Sequence, residues 1–230
     1  CIEDYLPQGD YHEQFLDMMK KSNQLLSEHP VNIKRKEKGL RPANSIWLWG
    51  QGRKMSLPSF QERHGIRGAV VTAVDLIKGI AVCAGMKIYE VEGATGTVHT
   101  NFDGKAQAGI RAFEEGADLL YMHLEAPDEC GHQADIEGKV RSAELIDEKI
   151  LRPLYDYLKT CGEDFAILIT PDHPTPLSTR AHSSDDVPYL LYQSTKEQSG
   201  VGPYCERVCK TTGHYVKDGF EILDKMIQEK

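Results

Sequence analysis

Apolar and polar positions follow two different patterns along the chain. In the first part, apolar residues recur at three- and four-residue spacing (Phe15, Met18 and Leu25 among them), which predicts a helix from Tyr11 to Glu28 that ends before Pro30. A basic linker follows, and the run SIWLWG at 45–50 predicts a buried strand. From about residue 58 onward, short apolar runs alternate with longer amphipathic segments.

This alternation predicts an α/β fold. Strands are expected at GAVVTA, KIYEV, DLLYMHL, FAILIT and PYLLY. Helices are expected at VDLIKGIAVCAGM, at GKAQAGIRAFEEG, along an apolar stripe from Ile136 to Leu154 that Pro153 should kink or split, and at GFEILDKMIQE. Strands of this kind between helices favour a largely parallel sheet flanked by helices. Residues 58–230 should form that core, whereas residues 1–57 are a poor domain alone.

Composition narrows the classes of function. The 230 residues carry a formal net charge of -8, and 40% are apolar, so the chain can bury a core but lacks the basic balance of a nucleic-acid-binding protein. No apolar stretch approaches the roughly 20 residues of a membrane span. Six cysteines without a CxxC pair favour a reducing, cytoplasmic setting. The oligomeric state stays open.

Ligand-type side chains follow two of the predicted strands. Asp128 and His132 come after DLLYMHL, while Asp172, His173 and His182 come after FAILIT. Ligands gather beyond the carboxyl ends of parallel strands, so we expect these five side chains to converge. Neighbours in an extended segment point to opposite sides, and Asp172 and His173 would therefore serve two adjacent ions. Two divalent ions about 3.5–4 Å apart are typical of phosphoryl transfer. Carboxylate with imidazole favours Mn²⁺, with Zn²⁺ or Mg²⁺ as alternatives.

Several motifs carry a family resemblance. The segments APDECGH, TPDHPTP, AHSSDDVPYLLY, PANSIWLWGQG and GAVVTAVDLIKGIAVCAGM resemble the cofactor-independent phosphoglycerate mutases of archaeal type, in the alkaline phosphatase superfamily. The resemblance implies an alkaline-phosphatase-like core. It also implies that Asp128, His132 and His182 hold one metal ion, while Asp172 and His173 belong to the other. The implied reaction interconverts 3- and 2-phosphoglycerate through a phosphoserine.

The resemblance also exposes a gap. The nucleophilic serine of that family, and an aspartate ligand of the second metal, lie near its N-terminus, and Ser56 and Ser59 in KMSLPSF have the wrong context for the nucleophile. The chain therefore resembles the C-terminal portion of a longer enzyme, incomplete as a core and inactive alone. Residues 1–57 would be the end of an inserted, substrate-closing domain.

The substrate is less sharply defined than the metal ligands. Arg53, after GQG, is the first candidate cation for a small phosphorylated substrate, and its alternative is a solvent-exposed loop arginine. Arg180, two residues before His182, is the second candidate. Two alternatives to the mutase assignment stay open. One is a homoserine kinase-like phosphotransferase of the same family, and the other is a non-catalytic metal-binding fragment.

Overall fold

The chain divides into two compact units, Cys1–Met55 and Ser56–Lys230. The computed structural model describes residues 2–48, 50, 52, 55–196 and 198–228. Among these residues, no helix is both long enough and apolar enough to cross a membrane.

The first unit is built on two helices, α1 (His12–Ser27) and α2 (Pro30–Glu37), after a short 3-10 turn at Ile2–Tyr5. Asn32 of α2 is 4% exposed, and its side-chain amide joins three parts of this unit. Its Nδ2 donates to the carbonyls of Leu26 and Ala43, and its Oδ1 accepts from the Ala43 amide, at 2.7–2.9 Å. One buried amide thus fixes the end of α1 against the segment after α2.

The strand predicted at 45–50 is wrong for the residues that the structure describes there. Residues 45–48 belong to no strand, and Ile46 and Trp47 are 41% and 38% exposed. The Ile46 amide donates instead to the Ser22 hydroxyl of α1 at 2.9 Å. Helix side chains therefore satisfy backbone groups that a neighbouring strand would otherwise satisfy.

The second unit alternates strands and helices as expected. In chain order its elements are α3 (Phe60–His64), β1 (Gly68–Val71), α4 (Asp75–Cys83), β2 (Lys87–Ile88), α5 (Phe102–Glu114), β3 (Leu119–Met122), α6 (Ala126–Gln133), α7 (Ile136–Ile146), α8 (Arg152–Thr160), β4 (Ala166–Ile169), β5 (Leu190–Gln193), α9 (Glu206–Cys209) and α10 (Glu221–Gln228). The α/β class is confirmed.

Three of the strands form a parallel sheet in the order β2-β1-β3. The central strand β1 is buried at Ala69, Val70 and Val71, as the apolar run predicts. Helix α5 packs on this sheet through small residues. Ala108 and Ala112 join Ala69 in one buried cluster, and a Cβ at Gly109 would lie 2.7 Å from Leu120 Cδ2. Side chains this small allow a close approach of helix to sheet.

The last two strands differ from the expectation. β4 and β5 pair antiparallel, with Ile169 opposite Leu190, and among the described residues they form a sheet of their own. Tyr155 of α8 covers the pair through edge-on contacts with Phe165 and Tyr192, at ring-centroid distances of 6.1 and 5.9 Å. The apolar runs reveal these strands but not their direction, because both kinds of pairing bury the same residues.

A π-helical turn at Asp147–Leu151 joins α7 to α8, and Pro153 is the second residue of α8. Proline cannot donate a backbone hydrogen bond, and a wider turn accommodates that loss. The helix is therefore irregular near Pro153, where a kink or split was predicted, but it continues through the π-helical turn into α8. Only the C-terminal part of its apolar stripe is buried. Ile150 is 3% exposed, next to Phe102 and Ala106, whereas Ile136 is 63% exposed.

Replacing Ile150 by alanine should lower the free energy of unfolding by about 2–5 kcal/mol, because the change leaves a cavity between α5 and the π-helical turn. The matched change Ile136→Ala should cost no more than about 0.5 kcal/mol, because Ile136 is mostly solvated. Urea denaturation of both variants measures the difference. Equal losses would contradict the burial described here.

Candidate metal centre

The β3–α6 connection positions the first two candidate ligands. β3 ends at Met122, and α6 begins at Ala126 with Pro127 in its first turn, where a missing amide hydrogen costs nothing. Asp128 and His132 lie four residues apart on α6, so their side chains project from the same face. This face is directed at the segment that follows β4.

Three ligand-type atoms meet where α6 faces that segment. Asp128, His132 and His182 each offer one such atom, and these atoms all lie within 4.8 Å of one another. His132 Nε2 lies 3.2 Å from Asp128 Oδ2, and His182 Nε2 lies 3.4 Å from Asp128 Oδ1. The two Nε2 atoms are 3.1 Å apart. In the described part of the chain, this is the one cluster of three such groups.

These separations suit a single divalent ion. Ligand atoms at the usual metal distances of about 2.0–2.2 Å are roughly 3–3.5 Å from each other around a tetrahedral centre. Two imidazole nitrogens this close, beside a carboxylate, need either a shared proton or a cation between them. One carboxylate with two imidazoles is also a donor set that Zn²⁺ and Mn²⁺ accept. The residues present therefore fit a divalent metal ion.

A hydrogen bond from the other side of the ring orients His132. Its Nδ1 lies 3.0 Å from the carbonyl oxygen of Arg180, to which it donates, so Nε2 is left facing Asp128 and His182. Metal-ligating histidines commonly donate their second nitrogen in this way. The same hydrogen bond, followed by the charge of Asp128, raises the pKa of His132. Arg180 has a φ of 54°, a backbone conformation that residues other than glycine seldom adopt.

Asp172 and His173 lie beside this cluster without joining it. The His173 ring stacks on His182 with centroids 3.7 Å apart, and its Nε2 is 3.3 Å from Asp172 Oδ2. The prediction that these two side chains point to opposite sides is wrong, because the chain bends at both residues instead of staying extended. Three of the five predicted ligands thus converge on one point, and the other two pair with each other.

The sequence reasoning missed Thr175, which supports Asp128. Thr175 is 4% exposed, and its hydroxyl donates to Asp128 Oδ1. Lys139 of α7 donates in turn to the Thr175 carbonyl at 2.9 Å. A threonine between two prolines gives no sequence signal for such a role. The Asp128 carboxylate is therefore held by a buried hydroxyl as well as by the two histidines.

Gly131 permits the close approach of α6 to Thr175. A Cβ at this position would lie 2.5 Å from the Thr175 carbonyl oxygen and 2.9 Å from its Cγ2. Any side chain here would therefore push α6 away from the segment that carries Thr175 and His182. Gly131 is the residue directly before His132 in the APDECGH motif.

Of the remaining candidates that the structure describes, Arg180 contacts this cluster, through its backbone carbonyl. Arg53 falls outside the described residues, and the Arg180 side chain is exposed. A further histidine near the site, His123 directly after β3, is half-buried, with Nδ1 3.2 Å from the Thr72 hydroxyl, and burial lowers its pKa. Ser59 caps α3, since its hydroxyl accepts from the Glu62 amide while Glu62 accepts from the Ser59 amide.

Comparison with known proteins places this geometry in context. Residues 7–226 match the Metalloenzyme superfamily. The chain belongs to this superfamily. Membership suggests divalent metal ions, and the Asp128, His132 and His182 cluster is a place in this chain that could hold one.

Relatives with known names agree with the resemblance read from the motifs. The 2,3-bisphosphoglycerate-independent phosphoglycerate mutase of Methanothrix thermoacetophila is 44% identical over 226 residues, which are 98% of this chain and 57% of that protein. The enzyme of the same name from Methanosarcina barkeri is 48% identical over 198 residues, 86% of this chain and 50% of that protein. The chain thus spans about half the length of the curated relatives it matches.

Solved structures share the fold. A Pyrococcus horikoshii protein superposes with a TM-score of 0.76 at 28% identity, covering 98% of this chain and 59% of that chain. The cofactor-independent phosphoglycerate mutase from Thermoplasma acidophilum superposes with a TM-score of 0.55 at 22% identity, covering 95% and 51%. The second likeness supports the fold alone.

Replacing Gly131 by alanine should weaken divalent-metal binding by about 10-fold or more, because the new methyl group separates Asp128 from Thr175 and His182. Gly79→Ala in α4 is the matched control, since a Cβ there meets nothing within 4 Å and should be neutral or slightly stabilising. Calorimetric titration with Mn²⁺ compares the two. Unchanged affinity in the Gly131 variant would contradict the close packing described here.

Proposed function

We propose that Asp128, His132 and His182 bind one divalent metal ion, and that the chain is the metal-binding part of an enzyme that interconverts 3- and 2-phosphoglycerate. The observation that carries the proposal is the convergence of one carboxylate and two imidazoles within 4.8 Å. The names of the Methanothrix and Methanosarcina relatives supply the substrate. Mn²⁺ is the expected ion, with Zn²⁺ or Mg²⁺ as alternatives.

Asp172 and His173 belong to a second ion in this proposal. His173 stacks on His182, so its position is adjacent to the first ion. The two residues supply too few ligands for a full coordination shell, and further ligands would come from the part of the relatives that this chain does not span. We assign the nucleophilic serine to that same part, and we assign residues 1–57 to the end of an inserted domain that closes over the substrate.

Each residue has a specific task in the proposed reaction. A bound divalent ion would stabilise the negative charge that develops as the phosphoryl group transfers. Asp128 supplies the anionic ligand, and Thr175 fixes its orientation. His132 is held in the binding tautomer by the Arg180 carbonyl, and His182 completes the set from the far side. The side chains of Arg53 and Arg180 are the proposed cations for the substrate's phosphate and carboxylate.

The metal assignment can be tested on this chain alone. Titration with Mn²⁺ should show at most one tight equivalent, because Asp172 and His173 alone supply too few ligands for a second ion. Asp128→Asn should weaken that binding by about 10–100-fold or more, since it removes the anionic ligand. Asp186→Asn, an exposed carboxylate in the loop after His182, is the control and should bind like the original chain. Two tight equivalents would show that the second site is already complete.

Activity requires the longer protein. This chain should not interconvert phosphoglycerates, even with saturating Mn²⁺, because the proposed route needs a covalent acceptor while glycerate reorients. A chimera in which residues 1–230 replace the matching segment of the Methanothrix enzyme should be active. Asp172→Asn or His173→Ala in that chimera should lower kcat by orders of magnitude through loss of a metal position.

Three results would revise this assignment. Turnover by the isolated chain would place the nucleophile within residues 1–230. A chimera that phosphorylates homoserine, and leaves phosphoglycerate unchanged, would move the substrate to the kinase alternative while retaining the metal site. A non-catalytic fragment would yield a chimera that is folded and metal-bound but inactive on both substrates.

A further inference from the structure

Lys105 is a charged residue in an unexpected place. It lies in α5, which packs on the parallel sheet, and it is 1% exposed, the largest of the described side chains that are fully buried. Lysine is rarely buried to this extent without a partner that offsets the cost of removing an ammonium group from water. Burial lowers its pKa. Lys105 is not among the residues that would bind the metal ion.

The Lys105 ammonium group lies at the turn between β3 and α6. Its Nζ donates to the carbonyl oxygen of His123 at 3.4 Å, immediately after β3. Two residues further on, Glu125 is the residue from which α6 starts, and its negative charge favours the charged form of Lys105. Lys105 therefore interacts with this turn in two ways, through a hydrogen bond to the His123 carbonyl and through attraction to the Glu125 carboxylate.

Glu125 is connected directly to the candidate ligand. Its carbonyl oxygen accepts from the backbone amides of Asp128 at 2.9 Å and Glu129 at 3.2 Å, which forms the first turn of α6. Its carboxylate lies against Gly96, where a Cβ would collide with Oε2. Burial, then the charges of Glu129 and Asp128, raise the pKa of Glu125, and Lys105 opposes that effect. Three carboxylates therefore lie at the start of α6, and the positive charge of the buried Lys105 acts on the one from Glu125.

We propose that Lys105 is a positioning residue for the metal centre: it anchors the His123–Glu125 turn and offsets the carboxylates at the start of α6, so that Asp128 and His132 face His182. The inference rests on the metal site proposed above and extends it. A direct role in substrate binding is not supported, because Lys105 is fully buried in the described chain. Without its charge, Glu125 would be an uncompensated half-buried carboxylate, and the first turn of α6 would shift to solvate it.

Three variants of the full chain test this role: Lys105→Met, which keeps length without charge, the isosteric Glu125→Gln, and the double variant. Lys105→Met should raise the Kd for Mn²⁺ by about 10-fold or more. Glu125→Gln should raise it less. If the two residues act on the same turn, the double variant should bind no more weakly than Lys105→Met, so the effects are not additive. Isothermal titration gives each Kd.

Ala112→Gly is the control for a general loss of stability. Ala112 lies on the same helix and is fully buried, but it packs in the cluster with Ala69 and Val71 instead of at the β3–α6 turn. This variant should lose stability in urea while its Kd for Mn²⁺ stays within about two-fold of the original. A folded Lys105→Met variant with an unchanged Kd, or additive effects in the double variant, would overturn the inference. If Lys105→Met fails to fold, an unchanged Kd in Glu125→Gln overturns it instead.

A metal-free measurement separates this inference from the metal proposal. In long-range ¹⁵N correlation spectra with EDTA present, Lys105→Met should shift the ring resonances of His132 but not those of His64, which pairs with Asp224 in another part of the unit. Those shifts would support the positioning role even if Mn²⁺ binds neither the original chain nor Asp128→Asn, a result that would remove the metal assignment alone. Unshifted His132 resonances in a folded variant would overturn the positioning role.

Discussion

The described site depends on the contacts that the Asp128 carboxylate makes. Its Oδ1 accepts a hydrogen bond from the Thr175 hydroxyl and lies next to His182, and its Oδ2 lies next to His132. These partners come from α6 and from the segment after β4, which are far apart in the sequence. The approach is possible because Gly131 leaves room for the Thr175 carbonyl. A single carboxylate therefore links the parallel sheet, through α6, to the antiparallel pair, through the loop that follows β4.

Electrostatics explains why such a cluster needs support from outside. Histidine nitrogens 3.1 Å apart are favourable only with a proton or a metal ion between them. A half-buried carboxylate next to further carboxylates is likewise costly unless a cation offsets it. The surroundings supply what the cluster itself lacks: a carbonyl acceptor at Arg180, a hydroxyl at Thr175 and a buried ammonium at Lys105. Thr175 and Arg180 both belong to the segment between β4 and β5, whereas Lys105 belongs to α5.

Much of the fold was predictable from periodicity. The strands β1, β3 and β4 coincide with short apolar runs, and α5 and α10 coincide with amphipathic ones, because burial imposes those patterns directly. The strand prediction at SIWLWG was wrong because a strand is not the only structure that an apolar run can form. Here the run lies along α1, and the Ser22 hydroxyl of that helix accepts from the Ile46 amide. The antiparallel pairing of β4 with β5 was also hidden, since the direction of a strand leaves little trace in which residues are apolar.

The candidate site was predictable in part, for reasons of the same kind. The i, i+4 spacing of Asp128 and His132 follows from helix geometry, and the position of His182 after a strand favours the same sheet edge. No comparable sequence pattern predicts the residues that support these ligands. Thr175 acts through one hydroxyl, Arg180 acts through its carbonyl, and Lys105 occupies a position where periodicity alone expects an apolar residue.

The burial of Lys105 at a position where an apolar residue is expected has a physical reason. A helix that packs on a sheet through alanines gains stability from apolar contact, and a lysine at the same interface reduces that gain unless it interacts with a group that needs a cation. In this chain the group is the turn that starts α6. Lys105 therefore lies on an otherwise apolar face of α5 because its positive charge stabilises the neighbouring turn and the Glu125 carboxylate more than an apolar side chain there would stabilise the core.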